Sequence, residues 1–419
     1  MKKVIALVLA LCMALALCAC SSKPAASTSA KKTITMWCIA TESDANRPAY
    51  EQAIENLKTT HPDVDFQWEA TENEAYKTKI KAAVSANEMP DIFFTWAGAF
   101  LGDFVSAGRV YCLDEAYKPF ASELPEAMLA NGTYNGGHYA VPLTMNVVTL
   151  FANMDLLAQA GYTEIPGTYD ELMACCDALV AKGIIPFGCS GKEPWCVTEY
   201  VEPMIEKAIG AEELSKIFAG QSTWNNPDIA DAVNKFQEMI NKGYFDPDGI
   251  ALGNDEVKAN FLAGKYAFYQ NGSWNCGEAD AALGDKVKVT EFPVINPGKA
   301  TLGQLIGGPS DSLAVAASSS DPALAAQIAF ELGRDICFVG YTVAGSGLPA
   351  WSLDYSKATI NAATAGVADM AAKATGYVLF GDTAMPADRA GTYLDYIGQV
   401  YGCAINGEQF VEGLTASLG

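Results

Sequence analysis

Histidine is almost missing: His61 and His138 are the only two in 419 residues. That is too few for a multi-histidine metal centre or a histidine-based catalytic relay. Positive charge is also scarce, with 27 Lys and Arg against 49 Asp and Glu and a formal charge of -22. A surface that negative repels phosphate backbones, so nucleic acid is excluded as a partner. The 12 cysteines include no C-x-x-C pair. Gly264-Lys265 lacks the spacing of a phosphate-binding glycine loop, and Asp246-Pro247-Asp248-Gly249 has the wrong spacing for an EF-hand and reads as a turn. No cofactor and no metal are therefore expected. What remains is a globular composition, 50% hydrophobic and 18% charged with 37 Gly and 19 Pro. At roughly 100–200 residues per domain, that length predicts two domains or lobes.

The N-terminal segment reads apart from the fold. Met1-Lys2-Lys3 is followed by an apolar and small run from Val4 to Cys20, short of the about 20 residues a spanning helix needs. The run ends Leu17-Cys18-Ala19-Cys20, which resembles the lipobox of bacterial lipoproteins, with Leu at −3, a small residue at −1 and then Cys. The resemblance implies that residues 1–19 are a signal peptide removed on export. It also implies that Cys20 becomes the acylated N-terminus, carrying palmitate-type chains that hold the protein at the outer face of the cell membrane. Residues 20–32, rich in Ser, Ala, Thr and Pro, read as a flexible tether. Nine cysteines then remain (Cys38, Cys112, Cys175, Cys176, Cys189, Cys196, Cys276, Cys337 and Cys403), an odd number that cannot pair completely and is best read as small buried side chains.

Along the mature chain, Thr33 to Ile39 and Asp91 to Phe94 read as buried strands, and Val64 to Trp68 alternates like one. Between them, Asn46 and Pro48 open a helix reaching about Thr59, and Glu74 to Ala86 is helical. Strand alternating with helix predicts an α/β fold with a parallel sheet. Thr168-Tyr169-Asp170-Glu171 has the form of a capping box. Asn226-Pro227 starts a helix ending at Gly243 with Ile229, Val233, Phe236 and Ile240 on one face, and Asp321-Pro322 starts another through Leu332.

Three stretches together resemble the extracytoplasmic solute-binding proteins of bacterial ABC importers, family 1, whose members bind carbohydrates. They are Met89 to Asp114, Gly137 to Leu172, and Phe261 to Trp274, with Phe292-Pro293 and Gly307-Gly308 downstream. The resemblance implies a two-lobe periplasmic-binding-protein-like fold with hinge crossings and an interlobe cleft. Its expected lobes are 33–142 plus 271–317, and 146–270 plus 321–419. It also implies a carbohydrate ligand, and partners in the membrane permease subunits of an ABC importer with a separate ATPase.

A sugar ring offers an apolar face and a rim of hydroxyls, so its site needs aromatic platforms and planar polar groups. Ligands in open α/β sheets sit beyond the carboxyl ends of strands. Trp37 and the loop Thr41-Glu42-Ser43-Asp44, with Glu42 its foremost candidate, follow the first strand, Trp96 follows the third, Asn146 lies at the first expected crossing, and Asn271 with Trp274 at the second. Trp351 follows a late turn, Trp195 sits in a loop, and Asp382 lies in a polar turn. These nine are the candidate cleft residues, with Trp37 also readable as core from its alternating strand. Two other functions fit the same composition: a secreted glycoside hydrolase using paired acids, and the same fold binding a polyamine, peptide or other non-sugar solute.

Overall fold

In the first strand, Lys32–Cys38, Ile34, Met36 and Cys38 alternate into a buried face and are at most 1% exposed. The computed structural model describes residues 31–419; the expected signal peptide and Cys20 lie outside the described residues. The strand Lys32–Cys38 pairs in parallel with Val64–Ala70 on one side and Ile92–Trp96 on the other. Asp311–Val315 joins antiparallel next to Ile92–Trp96, and Val141–Pro142 closes the sheet. Helix Arg47–Thr60 turns Tyr50, Ala53, Ile54 and Leu57 inward at helical spacing, and helix Pro322–Val339 packs into the same core. This is the first lobe.

The second lobe is built around Thr144–Asn153, a strand buried along its whole length. Its sheet runs Gly376–Val378, Gln304–Gly308, Thr144–Asn153, Tyr266–Gly272, Ile185–Gly188, with Val287–Thr290 also pairing to the central strand. A strand covered on both faces is what a sheet between helical layers requires. The capping box at Thr168 and Glu171 forms as expected, and Ile229, Val233 and Phe236 are fully buried on helix Pro227–Asn241. No helix of the described residues is long and apolar enough to cross a membrane.

Three passages link the lobes and lie side by side. The first is at residues 143–144. In the second, Gly307 and Gly308 pair with Val147 and Asn146 before the chain enters the first lobe. In the third, Leu348–Pro349 pairs with Met145 and Thr144. The expected lobe boundaries are corrected here. Tyr266–Gly272 runs past Asn271 without crossing, because Asn271 and Gly272 stay in register with Thr149 and Val148. Residues 276–308 therefore belong to the second lobe, where Cys276, Ala279, Val287 and Leu305 pack with Phe151 and Tyr269. Helix Pro322–Val339 belongs to the first lobe, with Ile328, Phe330 and Ile336 against its core, since it covers the sheet that its preceding strand has just joined. Lys32, expected as the last tether residue, is already in the first strand. All nine cysteines of the described residues are free thiols; seven are buried as expected, while Cys112 and Cys403 are exposed.

Candidate functional site

The turn after the first strand, the end of the third strand and the start of Asp311–Val315 bring Asp44, Trp96 and Asp311 to one edge of the first lobe. Facing them across the lobe junction are Trp195 and Glu199 from the first two turns of helix Pro194–Ile209, with Trp274 and Asp382. Between the two walls is a cavity of about 650 Å³. That is the size of a small-molecule site rather than of a protein groove.

Aromatic rings form the wall of the second lobe. Trp195 and Trp274 have ring centroids 6.1 Å apart at 56°, and Trp274 and Phe380 lie 6.2 Å apart at 50°. On the first lobe, Trp96 is braced edge-to-face by Phe94 at 5.0 Å and Phe100 at 5.3 Å. Tight neighbours fix these rings before any solute arrives, which lowers the ordering cost of binding. Trp274 lies directly over Gly272: a Cβ there would stand 2.0 Å from the indole Cζ3. Only glycine leaves room for the ring in that place.

Polar groups complete the cavity. The Trp195 Nε1–H, Glu199 Oε2, Thr144 Oγ1, Ser346 Oγ and Asn46 Oδ1 are buried without a protein partner, and all five residues line the cleft. A buried polar atom left unmet costs about 1–3 kcal/mol, so these five atoms are open to a polar partner in the cavity. Burial pushes the Glu199 carboxyl well above the usual carboxylate range, and the nearby Glu202 and Asp382 charges add to it. The site thus favours the protonated form of Glu199 over the charged one. Beneath it, Glu202 accepts the Gly381 N–H at 3.1 Å and the Tyr393 hydroxyl at 3.1 Å, which fixes the segment carrying Asp382. Across the cleft, Asp382 faces Lys77 Nζ at 3.8 Å, and Lys258 Nζ donates to the Ser43 carbonyl at 3.4 Å. No group of His, Cys, Asp and Glu suited to a metal ion occurs among the described residues.

Of the nine expected residues, Trp96, Trp195, Trp274 and Asp382 line the cleft; the other five do not. Trp37 points to the face of its strand opposite Met36 and Cys38, half-buried with Lys79 Nζ 3.9 Å from its ring. Glu42 is exposed and pairs with Arg47 at 2.9 Å, because its loop turns Asp44 inward instead. Asn146 and Asn271 are buried behind the wall, where each holds a residue that lines the cavity. Asn146 donates to Asp311 at 2.9 Å, and Asn271 donates to Asn254 at 3.3 Å. Trp351 is 2% exposed in the first-lobe core, its indole N–H donating to the Pro142 carbonyl at 2.8 Å. The late turn thus points it away from the cavity. Asp44 lies in the loop expected at the cleft, whereas Asp311, Glu199 and Phe380 were not expected. The i, i+3, i+4 spacing of Trp195, Thr198 and Glu199 is the one pattern that marks part of this set, placing all three on one helix face.

Burial raises the Asp44 carboxyl to about 6, and burial with the Asp44 charge raises Asp311 to about 7. Both ordinary values are 3.8. A carboxyl raised in the folded state binds protons that the unfolded chain has already lost. Its stabilising contribution is full below the ordinary value and disappears as pH rises through 6 to 7. The melting temperature of the free protein is therefore expected to fall between pH 5 and pH 8. In the double variant Asp44→Asn, Asp311→Asn that slope is expected to be shallower, with Glu199, Glu202 and Glu206 supplying the remainder. Calorimetric scans at several pH values check this, and an unchanged slope would contradict it.

Residues 41–330 match the family of the bacterial extracellular solute-binding protein. A multiple sugar-binding protein of Streptococcus mutans is 24% identical over 261 residues, 60% of each chain. An ABC transporter extracellular-binding protein of Pyrococcus horikoshii is 23% identical over 204 residues, 48% of this chain and 46% of that one. The chain spans about half the length of the first curated relatives it matches. Among solved structures, one from work on xylan utilisation by the thermophilic bacterium Caldanaerobius polysaccharolyticus superposes with a TM-score of 0.87. It is 30% identical and covers 92% of this chain and 100% of that one. A chitin oligosaccharide binding protein has a TM-score of 0.84 at 22% identity, covering 93% and 98%.

Proposed function

We propose that this chain, which belongs to the family of bacterial extracellular solute-binding proteins, captures a sugar or oligosaccharide outside the cell and delivers it to an ABC importer. Membership in a family of binding proteins makes it a receptor and not an enzyme, so the glycoside hydrolase alternative is set aside. The observation that carries the carbohydrate reading is the cleft itself. Three rings from one lobe face a fourth from the other across about 650 Å³, with unpartnered polar atoms around them. Rings suit the apolar faces of sugars, and the polar atoms suit their hydroxyls. The sugar-binding names of the Streptococcus mutans relative and of the chitin oligosaccharide neighbour agree with it.

In this reading Trp96, Trp195, Trp274 and Phe380 are the platforms. Asp44, Asp311, Glu199 and Asp382 bond hydroxyls, with Asn146 and Asn271 positioning their neighbours. A solute that touches both lobes binds the closed arrangement better than the open one and shifts the population toward it. The importer's permease, driven by a separate ATPase, then distinguishes loaded from empty receptor. Acylation at Cys20, with residues 20–32 as the tether, keeps the receptor at the outer face of the membrane. More than one acyl chain is needed for such an anchor to hold.

A thermal-shift screen of residues 21–419 against neutral mono- and oligosaccharides, spermidine and short peptides tests the assignment. A ligand at 100 times its Kd stabilises by about 2.7 kcal/mol, well within reach of such a screen. At least one oligosaccharide is expected to raise the transition. A shift with spermidine or peptide alone would move the solute to the other class.

A further inference from the structure

We propose that the cleft sorts glycans by charge, accepting neutral ones and excluding those that carry a carboxylate, sulfate or phosphate, an inference that rests on the carbohydrate reading above. Ten carboxyl side chains line the cavity against three lysines, and no arginine is among the lining residues; with the exposed Glu72, Glu74, Asp255 and Glu256 set aside, six carboxyls remain. Two of the lysines are already engaged. Lys77 Nζ lies 2.9 Å from Glu74 and 3.8 Å from Asp382; Lys258 Nζ lies 3.0 Å from Glu278 and 3.7 Å from Asp255. Lys192 is exposed, where water and salt screen its charge.

At the first-lobe end of the cleft, the carboxyls accept their hydrogen bonds from dipoles, and Lys258 acts on Asp44 only through its charge. Asp311 accepts the Asn146 amide at 2.9 Å, and Asp44 accepts the backbone N–H of Asn46 at 2.8 Å. Burial, and for Asp311 the charge of Asp44, raise both groups above the usual range, so this end of the cleft already resists holding negative charge. In the same place, Thr144 and Ser346 are 3% and 2% exposed with hydroxyls that have no protein partner. Their neighbourhood is tight: a Cβ on Gly347 would stand 2.7 Å from Thr144 Oγ1.

A neutral hydroxyl both donates and accepts, so it satisfies the carboxyls and the two buried hydroxyls together. An anionic oxygen only accepts, and in the cleft it meets like charge beside half-buried carboxyls, where water screens repulsion less than in bulk. Selectivity then comes from a repulsive element built against the wrong solute, added to the attractive contacts for the right one.

The test uses matched sugars on residues 21–419: neutral oligosaccharides, their C6-oxidised uronates, and the methyl esters of those uronates, measured by calorimetry. For each pair whose neutral member binds, the uronate is expected to bind about a hundredfold more weakly. The ester, neutral but of similar shape, restores most of that loss, and added salt narrows the gap. A uronate penalty smaller than tenfold, or an ester as weak as its acid, overturns the charge filter while leaving the carbohydrate reading intact. Binding of spermidine with no neutral oligosaccharide bound overturns the carbohydrate reading, and the filter with it.

Discussion

Replacing Trp274 with alanine is expected to weaken oligosaccharide binding about a hundredfold, or about 2.7 kcal/mol, while leaving the protein folded. Trp274 is the middle ring of the second-lobe wall, with Trp195 on one side and Phe380 on the other. Removing it divides the platform and leaves the unpartnered Trp195 N–H without a rigid neighbour. Its own side chain is only half-buried, so the cost to stability is modest compared with a core truncation. Trp274→Phe keeps a smaller ring and is expected to recover about tenfold of the loss, a second point on the same scale.

Gly272→Ala provides an independent route to the same outcome. The backbone at Gly272 has φ of -71°, which alanine adopts without strain, so its only defect is the Cβ that would sit 2.0 Å from the Trp274 ring. The indole must move aside, and affinity is expected to drop as far as in Trp274→Phe although every cleft side chain is still present. Calorimetry with the strongest sugar of the screen measures all three variants. Affinities within threefold of the parent for both Trp274→Ala and Gly272→Ala would remove the ring wall from the account.

Trp351→Ala is expected to show the opposite behaviour: a loss of about 3–5 kcal/mol in stability with sugar affinity unchanged in the folded fraction. Trp351 packs edge-on to Phe120 and Phe330, and its N–H is the partner of the Pro142 carbonyl. Truncation leaves a cavity in the first-lobe core and a buried carbonyl without a donor. Urea unfolding followed by first-lobe fluorescence gives the first quantity, and a binding titration of the folded protein at low temperature the second. A stable variant with weakened affinity would return Trp351 to the cleft.

These two tryptophans show how far a strand-end argument reaches. Trp96 and Trp274 sit at the ends of buried strands beside small residues, and both line the cleft. Trp351 sits just past a similar turn, yet the chain doubles back there into the first lobe, and nothing local in the sequence marks that reversal. The loop after the first strand was legible as a cleft loop, but the inward residue is Asp44 and not Glu42. A two-residue step in an irregular loop has no periodicity to read. Glu199 was hidden for a different reason. A carboxylate in a helix reads as solvated, and only the packing of helix Pro194–Ile209 into the second-lobe core shows that it is buried.

The fold itself was largely visible, because alternation in Lys32–Cys38, the helical stripe of Pro227–Asn241 and the capping box at Thr168 are local signals. The lobe boundaries were not. Whether residues 276–308 stay with the second lobe depends on pairing between Gln304–Gly308 and Thr144–Asn153, partners far apart in the chain. Such pairing is decided by tertiary packing and leaves no composition shift at the boundary.

The account depends on a solute gripping both lobes at once. Small-angle scattering of residues 21–419, with and without a saturating neutral oligosaccharide from the screen, measures this most directly. A smaller radius of gyration on binding, lost in Trp274→Ala at the same sugar concentration, is the predicted result. An identical scattering profile at full occupancy would contradict it.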